Sequence, residues 1–335
     1  MKRIISLLLA LALTLSLTAC TAPAEKADGG KLQIVTTLFP YYDFARAIAQ
    51  DRADVTLLLS PGREAHSFEP TPLDAVTISK ADVFLYNGGE GEYWVESMLD
   101  AAGEHIAVAS RMMDCVDALN EEYVEGMQGA DGHDHDHEHG SHDDHDHDHE
   151  EDEHDSDEIE YDEHIWTSPK NAVVLCRAVC DAICRADAEN AAFYRANCEN
   201  YCAQLEDLDA RFAALCESAP RRLLIFADRF PMLYFCREYG LDYRAAFHGC
   251  SGDTEPSLAT IKFLIDKVED ENIPVVYTID FGTKKVAAVV SECTGAAIET
   301  LYSMQTVSRA DFDAGETYLT LMERNFEALR KGLNA

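Results

Sequence analysis

The stretch KLQIVTTLFPYYDFARAIAQDRADVTLLL, residues 31–59, sets a pattern that the rest of the chain repeats. Two short runs rich in β-branched and aliphatic residues, 32–37 and 54–59, flank a helical segment. Six further runs of this kind alternate with helical segments and lie at 82–86, 105–109, 222–226, 242–246, 275–279 and 297–302. Alternation of strand and helix predicts mainly parallel sheets with helices on both faces.

The eight predicted strands fall into two groups of four, about 110 residues apart. The interval holds a charged run and two helical patterns, 169–186 and 188–217. We therefore expect an α/β protein of two lobes, each a mainly parallel four-stranded sheet with flanking helices, joined by a helical linker. The expected boundaries are an N-terminal lobe at 31–187, a linker helix at 188–217 and a C-terminal lobe at 218–335.

Local signals indicate where several helices begin and end. Thr71-Pro72-Leu73-Asp74 combines a capping threonine, a proline in the first turn and an acid three positions on. Ser168-Pro169 has the same capping character, and Gly240 and Gly295 are placed where helices are expected to stop.

Composition and charge narrow the class of partner. The chain has 335 residues, 47% of them hydrophobic, which is typical of a globular protein with room for two cores. A net charge of −35 argues against nucleic acid or an anionic lipid surface and fits a cation as ligand. Residues 131–163 contribute 18 acidic residues and no Lys or Arg, and without them the net charge is still −17.

The N-terminus has the pattern of an export signal. Lys2 and Arg3 precede an apolar run from 4 to about 17, which is short for the alternative, a transmembrane helix. The run ends in Leu17-Thr18-Ala19-Cys20, which resembles the lipobox of bacterial lipoproteins, whose cysteine carries the lipid. We expect a signal peptide at 1–19 and a lipid-anchored tether at 20–30. Lipid on Cys20 would hold the protein at the outer face of the cytoplasmic membrane.

Five of the eleven cysteines follow a helical spacing. Cys176, Cys180 and Cys184 recur every four residues, as do Cys198 and Cys202, interleaved with small apolar residues. This spacing favours small buried side chains over disulfides or a thiolate site. The sequence contains no CxxC pair, so it gives little support to a cysteine zinc site.

An acidic, histidine-rich tract interrupts the N-terminal lobe. It cannot bury a core, so we expect a disordered loop at 131–160 that acts either as an acidic spacer or as a set of weak metal sites. Its histidines, the expected weak ligands, are His133, His135, His137, His139, His142, His145, His147, His149 and His154. Outside the tract, His105 opens a predicted strand and is interpreted as structural.

Five metal-capable side chains fall where predicted strands or helices place them near one edge. His66, Asp228 and His248 follow predicted strands, Asp280 ends one, and His164 lies just before the Ser168-Pro169 helix start. Ligands of open α/β sheets bind at the carboxyl ends of the strands. The sequence therefore predicts a metal site between the two lobes.

Two motifs carry a family resemblance. LLSPGREAHSFEP, residues 58–70, resembles a Pro-Gly…His-x-(Tyr/Phe)-x-Pro segment, and DEHIWTSP, residues 162–169, resembles His-x-Trp-x-Ser-Pro. Both segments occur in the zinc/manganese substrate-binding lipoproteins of bacterial ABC transporters, where each histidine binds metal. The similarity runs from about 31 to 333, with the histidine-rich tract as a variable insert. It implies that His66 and His164 are ligands.

The third and fourth family motifs depart from the pattern. Members often carry His-Asp-Ala-(Phe/Tyr), whereas this chain reads Phe226-Ala227-Asp228-Arg229-Phe230, with Ala227 at the histidine position. A water or another side chain must then compensate; the candidates are Asp228, His248 and Glu255. Asp280 resembles the fourth ligand, a carboxylate, with an offset of one residue. Two imidazoles with carboxylates leave Mn²⁺ open beside Zn²⁺.

The resemblance implies an extracytoplasmic solute-binding protein that captures Zn²⁺ and delivers it to the permease of an ABC importer. We expect a monomer without enzymatic activity. The alternatives are a Mn²⁺-specific binding protein of the same type, a surface adhesin, an exported zinc hydrolase and a binder of an organic solute. No HExxH motif supports the hydrolase.

Overall fold

The first four strands form one parallel sheet. The computed structural model describes residues 30–64, 67–103, 106–127, 160–247 and 256–334. The sheet has the order β2-β1-β3-β4, and β1 is central because Ile34 pairs with Val55 on one side and Val83 on the other. Its strands are β1 (Leu32–Thr36), β2 (Ala53–Leu57), β3 (Val83–Tyr86) and β4 (Val108–Arg111).

The last four strands repeat this arrangement. The second sheet is also parallel, with the order β6-β5-β7-β8. Its strands are β5 (Leu223–Phe226), β6 (Asp242–Ala245), β7 (Val275–Ile279) and β8 (Ala297–Leu301). The expected α/β architecture of two four-stranded parallel sheets is therefore confirmed.

The helices precede, connect and follow the strands. In chain order they are α1 (Phe39–Ala49), α2 (Pro72–Ile78), α3 (Trp94–Ala102), α4 (Pro169–Ala186), α5 (Ala191–Ser218), α6 (Leu233–Tyr239), α7 (Leu258–Asp270), α8 (Lys285–Thr294), α9 (Arg309–Ala314) and α10 (Tyr318–Asn334). Among the described helices, none combines the length and apolar character that crossing a membrane requires.

Two boundaries differ by three residues from those expected. The fourth strand begins at Val108, where the pairing with Val83 begins, and not at the predicted residue 105. The long helix α5 begins at Ala191 because Ala188–Asn190 form a separate 3-10 turn, whereas the sequence predicts a helix from 188.

The predicted caps are present. Thr71 and Asp74 form a reciprocal capping box at the start of α2, and the Ser168 hydroxyl accepts a hydrogen bond from Asn171 N at the start of α4. Gly240 and Gly295 end α6 and α8 in the left-handed conformation, which glycine adopts without steric cost.

One apolar core runs through both sheets, which belong to a single unit, Leu32–Ala335. A buried carboxylate ties its helices together: Asp43 Oδ2 on α1 accepts hydrogen bonds from Tyr201 Oη on α5 at 2.6 Å and from Tyr318 N on α10 at 2.9 Å. A second, smaller core covers the other face of the second sheet, where Ile225 and Val276 pack with residues of α7 and α8.

Candidate metal site

The imidazole of His164 is buried and held by a carboxylate. His164 is 2% exposed, and Asp162, also 2% exposed, points Oδ1 at both its backbone N (2.8 Å) and its ring Nδ1 (3.0 Å). An ionised carboxylate can only accept hydrogen bonds, so Nδ1 carries the proton and Nε2 carries the lone pair. This is the pairing that orients metal-binding histidines in proteins.

The loop that carries Asp162 is fastened from the second half of the chain. The Tyr234 hydroxyl on α6 donates to Asp162 O at 2.9 Å and accepts from Leu119 N at 3.0 Å. Asp162 N in turn donates to Leu119 O at 2.9 Å. The position of the Asp162–His164 pair is therefore fixed by buried contacts in both halves.

Two carboxylates lie at the carboxyl ends of neighbouring strands in the second sheet. Asp228 follows β5 by two residues, and Asp280 directly follows β7. Asp228 Oδ1 accepts from Arg229 N at 2.9 Å, and Oδ2 lies 3.4 Å from Ile279 N. A Cβ on Gly282 would approach Asp228 Oδ2 to 1.7 Å, so the Asp228 side chain occupies space that only glycine leaves open.

A chain of hydrogen bonds connects Asp280 with the neighbourhood of His164. Ser303 N donates to Asp280 Oδ1 at 3.1 Å, and Ser303 O accepts from Trp166 Nε1 at 2.7 Å. The Trp166 ring meets the His164 ring edge to face, with 5.6 Å between centroids. Ser303 thus connects Asp280 in the second half of the chain with Trp166, the ring neighbour of His164, in the first half.

The loop that leads to His66 packs against the second sheet. Gly62 N donates to Val307 O at 2.7 Å, and Arg229 Nη1 contacts Glu64 Oε1 at 2.9 Å. Glu64 precedes His66 by two residues. The loops after β2 and after β5 therefore meet, as the prediction of a site at the carboxyl ends requires.

Burial disfavours the ionised forms of both carboxylates, Asp228 and Asp280. Burial, with a smaller contribution from repulsion by Glu64, raises the pKa of Asp280 to about 6 despite the hydrogen bond from Ser303 N. Burial also raises the pKa of Asp228, with Glu64 again adding repulsion and Arg229 opposing it. A cation that binds beside these carboxylates would stabilise their ionised forms.

A small cavity adjoins the Asp162–His164 loop. It has a volume of about 20 Å³, enough for one water molecule. Gln305 of the second half and the buried acids Glu92 and Glu163 are among the residues that line it. Burial raises the pKa of Glu92 to about 7 and also raises that of Glu163. The surroundings of His164 are therefore acidic as well.

The predicted ligands are only partly within the described residues. His164, Asp228 and Asp280 are placed as above. The remaining predicted positions lie outside the described residues: His66, His248, Glu255, the histidine-rich tract and Cys20. Ala227, at the family's histidine position, is 2% exposed and packs in the smaller apolar core, so its side chain offers no ligand.

Sequence reasoning missed the residues that orient the candidate ligands. Asp162 could have been found from its spacing, because an acid two positions before a histidine can bond the same residue's backbone and ring. Glu64, Arg229 and Ser303 carry no such signal. They matter because distant loops meet: Glu64 and Arg229 are 165 residues apart in the chain, and Ser303 and Trp166 are 137 apart.

Comparison with known proteins identifies the family. The family model described as zinc-uptake complex component A, periplasmic, matches residues 34–332. The chain belongs to this family. The resemblance carried by the two histidine motifs is therefore confirmed.

The family's relatives cover nearly all of the chain. The high-affinity zinc uptake system protein ZnuA of Bacillus subtilis is 30% identical over 93% of this chain and 91% of its own length. The zinc-binding lipoprotein AdcA of Streptococcus pneumoniae is 30% identical over 99% of this chain, which spans only 61% of AdcA. The crystal structure of the Zn(II)-bound ZnuA-like domain of that AdcA has a TM-score of 0.71 and 26% identity, and covers 91% of this chain and 100% of that domain.

Proposed function

We propose that this protein is an extracytoplasmic solute-binding protein that captures Zn²⁺ and delivers it to an ABC importer. The observation that carries the proposal is the buried Asp162–His164 pair, connected through Trp166 and Ser303 to a carboxylate of the other sheet. The relatives named for zinc uptake and zinc binding support the choice of metal.

In this proposal the protein binds the metal ion and catalyses no reaction. His164 offers Nε2, Asp280 and Asp228 offer carboxylate oxygens from the second sheet, and His66 offers a second imidazole. Imidazole and carboxylate together suit zinc, and a filled coordination shell leaves no open position of the kind that catalysis needs. His248 and Glu255 remain candidates for a further ligand in place of the family's third histidine.

Zinc counting on the full-length protein tests the proposal. We expect the cleft to retain one zinc ion per chain through dialysis against a competing chelator, because the histidine-rich tract binds weakly by comparison. His66→Ala should remove that ion. His105→Ala is the matched control, since it removes the only histidine that belongs neither to the candidate set nor to the tract.

Deletion of residues 133–154 distinguishes metal binding in the cleft from metal binding by the histidine-rich tract. The tight ion should remain and the weak sites should disappear. Loss of the tight ion on this deletion, or its retention in His66→Ala, would assign tight binding to another part of the chain.

Manganese is the second candidate ligand, because Ala227 replaces an imidazole and leaves the set rich in oxygen. Competition between Zn²⁺ and Mn²⁺ for the tight site decides between them. Zinc specificity requires that Mn²⁺ fail to displace Zn²⁺ at comparable concentrations.

Export and anchoring are a separate part of the proposal. It places a signal peptide at 1–19, lipid on Cys20 and a tether to residue 30, with the folded part outside the cytoplasmic membrane beside a permease. Cys20→Ala should move the protein from the membrane fraction to the soluble fraction of exported protein. Unchanged fractionation would contradict lipidation at this residue.

A further inference from the structure

A cluster of cysteine side chains lies between α4 and α5 and includes none of the candidate cleft ligands. Cys176 and Cys180 on α4 face Cys198 and Cys202 on α5, and all four are at most 3% exposed. We call these four residues the α4–α5 cysteine cluster. The sequence alone favours packing for them; the structure adds that they meet across two helices.

The sulfur positions match the dimensions of a thiolate metal site. The Sγ atoms of Cys176, Cys198 and Cys202 all lie within 4.8 Å of one another, and Cys198 Sγ is 3.8 Å from Cys202 Sγ. Two sulfurs that share a tetrahedral zinc ion at about 2.3 Å are about 3.8 Å apart. Three atoms at most 4.8 Å apart leave a point within about 2.8 Å of each, so shifts of about 0.5 Å would complete the bonds.

A fourth ligand and a compensating charge are at hand. The Cys180 thiol interacts with the Cys198 sulfur, as do those of Cys176 and Cys202. The guanidinium of Arg177, next to Cys176 in the chain, interacts electrostatically with both Cys198 and Cys202. It would offset part of the negative charge that several thiolates around one cation leave.

We propose that the α4–α5 cysteine cluster binds one thiophilic d¹⁰ cation, Zn²⁺ or Cu⁺, through Cys176, Cys198 and Cys202, with Cys180 as fourth ligand. Each thiol that binds releases one proton to solvent, and no redox step is involved. Soft sulfur ligands select such ions, whereas the cleft candidates offer only nitrogen and oxygen. The site is thus chemically distinct from the proposed transport site.

The geometry favours a metal over the two simpler uses of buried cysteines. Disulfides would need an oxidant and would pair the sulfurs two by two, whereas one cation takes all three mutually close sulfurs together. Plain packing would not require sulfur to meet sulfur across the helix pair. Bound metal would cross-link α4 to α5, the two helices that lie between the two sheets in the chain.

Cadmium titration of the full-length, reduced protein tests the proposal. Cadmium bound to thiolates gives an ultraviolet charge-transfer absorption that nitrogen and oxygen ligands do not give, so the tract and the cleft contribute nothing. We expect the amplitude of this absorption to correspond to one thiolate-bound cadmium per chain, and the cadmium band to be lost when Zn²⁺ or Cu⁺ displaces the cadmium. The ion that displaces it at the lower concentration is the preferred one.

Single substitutions assign the absorption to the cluster. Cys198→Ser should lower cadmium affinity at least tenfold, and Cys202→Ala serves as a second variant if the first fails to fold. Cys216→Ser is the matched control, because Cys216 lies on the same helix, is 1% exposed and is outside the cluster. Zinc retained by the cleft in Cys198→Ser keeps this test separate from that of the transport function.

Three results would overturn the proposal. One is a folded, reduced wild type without the absorption, which would leave only packing. Another is an absorption that Cys198→Ser and Cys202→Ala leave unchanged. The third is a thiol titration of exported, unreduced protein in denaturant that finds the cluster consumed in disulfides.

Discussion

The two sheets differ in how their share of the candidate metal site is prepared. On the first side, Asp162 accepts hydrogen bonds from the backbone N and ring Nδ1 of His164, and Tyr234 fixes the loop that carries both residues. On the second side, Asp280 and Asp228 are held by backbone donors, but burial raises their pKa values. Without a cation, the candidate ligand on the first side is stabilised by its hydrogen-bond partner, whereas the ionised candidate ligands on the second side are destabilised by burial.

This difference teaches where binding energy would be gained. A preorganised imidazole contributes affinity directly, because little order is lost when the ion arrives. A buried carboxylate contributes in addition, because the cation stabilises an ionised form that burial disfavours. We therefore expect neutral substitutions on the second side to stabilise the metal-free protein while they weaken binding, and substitutions on the first side to weaken binding without such a gain in stability.

The largest effect should follow removal of the prepared imidazole. His164→Ala should lower zinc affinity at least about 100-fold, more than the loss of an orienting partner. Isothermal titration calorimetry on the full chain measures this, with His105→Ala as control. Tight binding that survives in His164→Ala would remove His164 from the site and with it the contrast between the two sides.

Asp280→Asn tests the second side, because it should change zinc affinity and metal-free stability in opposite directions. We expect zinc affinity to fall roughly 10- to 100-fold while the metal-free protein becomes more stable at pH 7.5 by roughly 1–3 kcal/mol. The gain arises because the folded pKa of about 6 exceeds the ordinary value of 3.8, so the ionised form destabilises the fold above pH 6. Denaturant unfolding of wild type and of Asp280→Asn, both without metal, measures this gain in stability.

The pH dependence gives this prediction its sign. The folded state binds the Asp280 proton more tightly than the unfolded state, so this group makes metal-free protein more stable as the pH falls from about 7 towards 4. That part of the pH dependence should be missing in Asp280→Asn. Asp242→Asn, at an exposed position at the start of β6, is the matched control. Equal pH profiles for wild type and Asp280→Asn would contradict the assignment.

Sequence reasoning predicts the fold better than the site, for a physical reason. The eight strands and the caps at Thr71, Ser168, Gly240 and Gly295 are local signals, set by side-chain pattern and turn chemistry. The pairing of Asp228 with Asp280 follows from the rule that parallel strands end at one edge. The contacts of Ser303 and Glu64 depend on which distant loops meet, and no local pattern carries that information.

Asp162→Asn sharpens the comparison on the prepared side. The amide still accepts a hydrogen bond but no longer carries the charge that orients and strengthens the imidazole, so zinc affinity should fall about tenfold. Metal-free stability should change much less than in Asp280→Asn. Calorimetry with denaturant unfolding checks both, and Asp117→Asn, at an exposed position, is the control. A loss of stability without a loss of affinity would make Asp162 structural only.

The smallest effect should come from the contact between the two loops. Arg229 and Glu64 form a partly exposed ion pair, with side chains that are 14% and 37% exposed, and solvent screening at Glu64 brings its contribution towards the roughly 0–1 kcal/mol of surface pairs. Glu64→Gln removes this attraction but also the repulsion that Glu64 exerts on Asp228 and Asp280. We expect zinc affinity to change by less than about fivefold, and the difference from wild type to shrink at high salt. A loss as large as that of Asp280→Asn, measured by the same calorimetry, would instead make Glu64 a ligand.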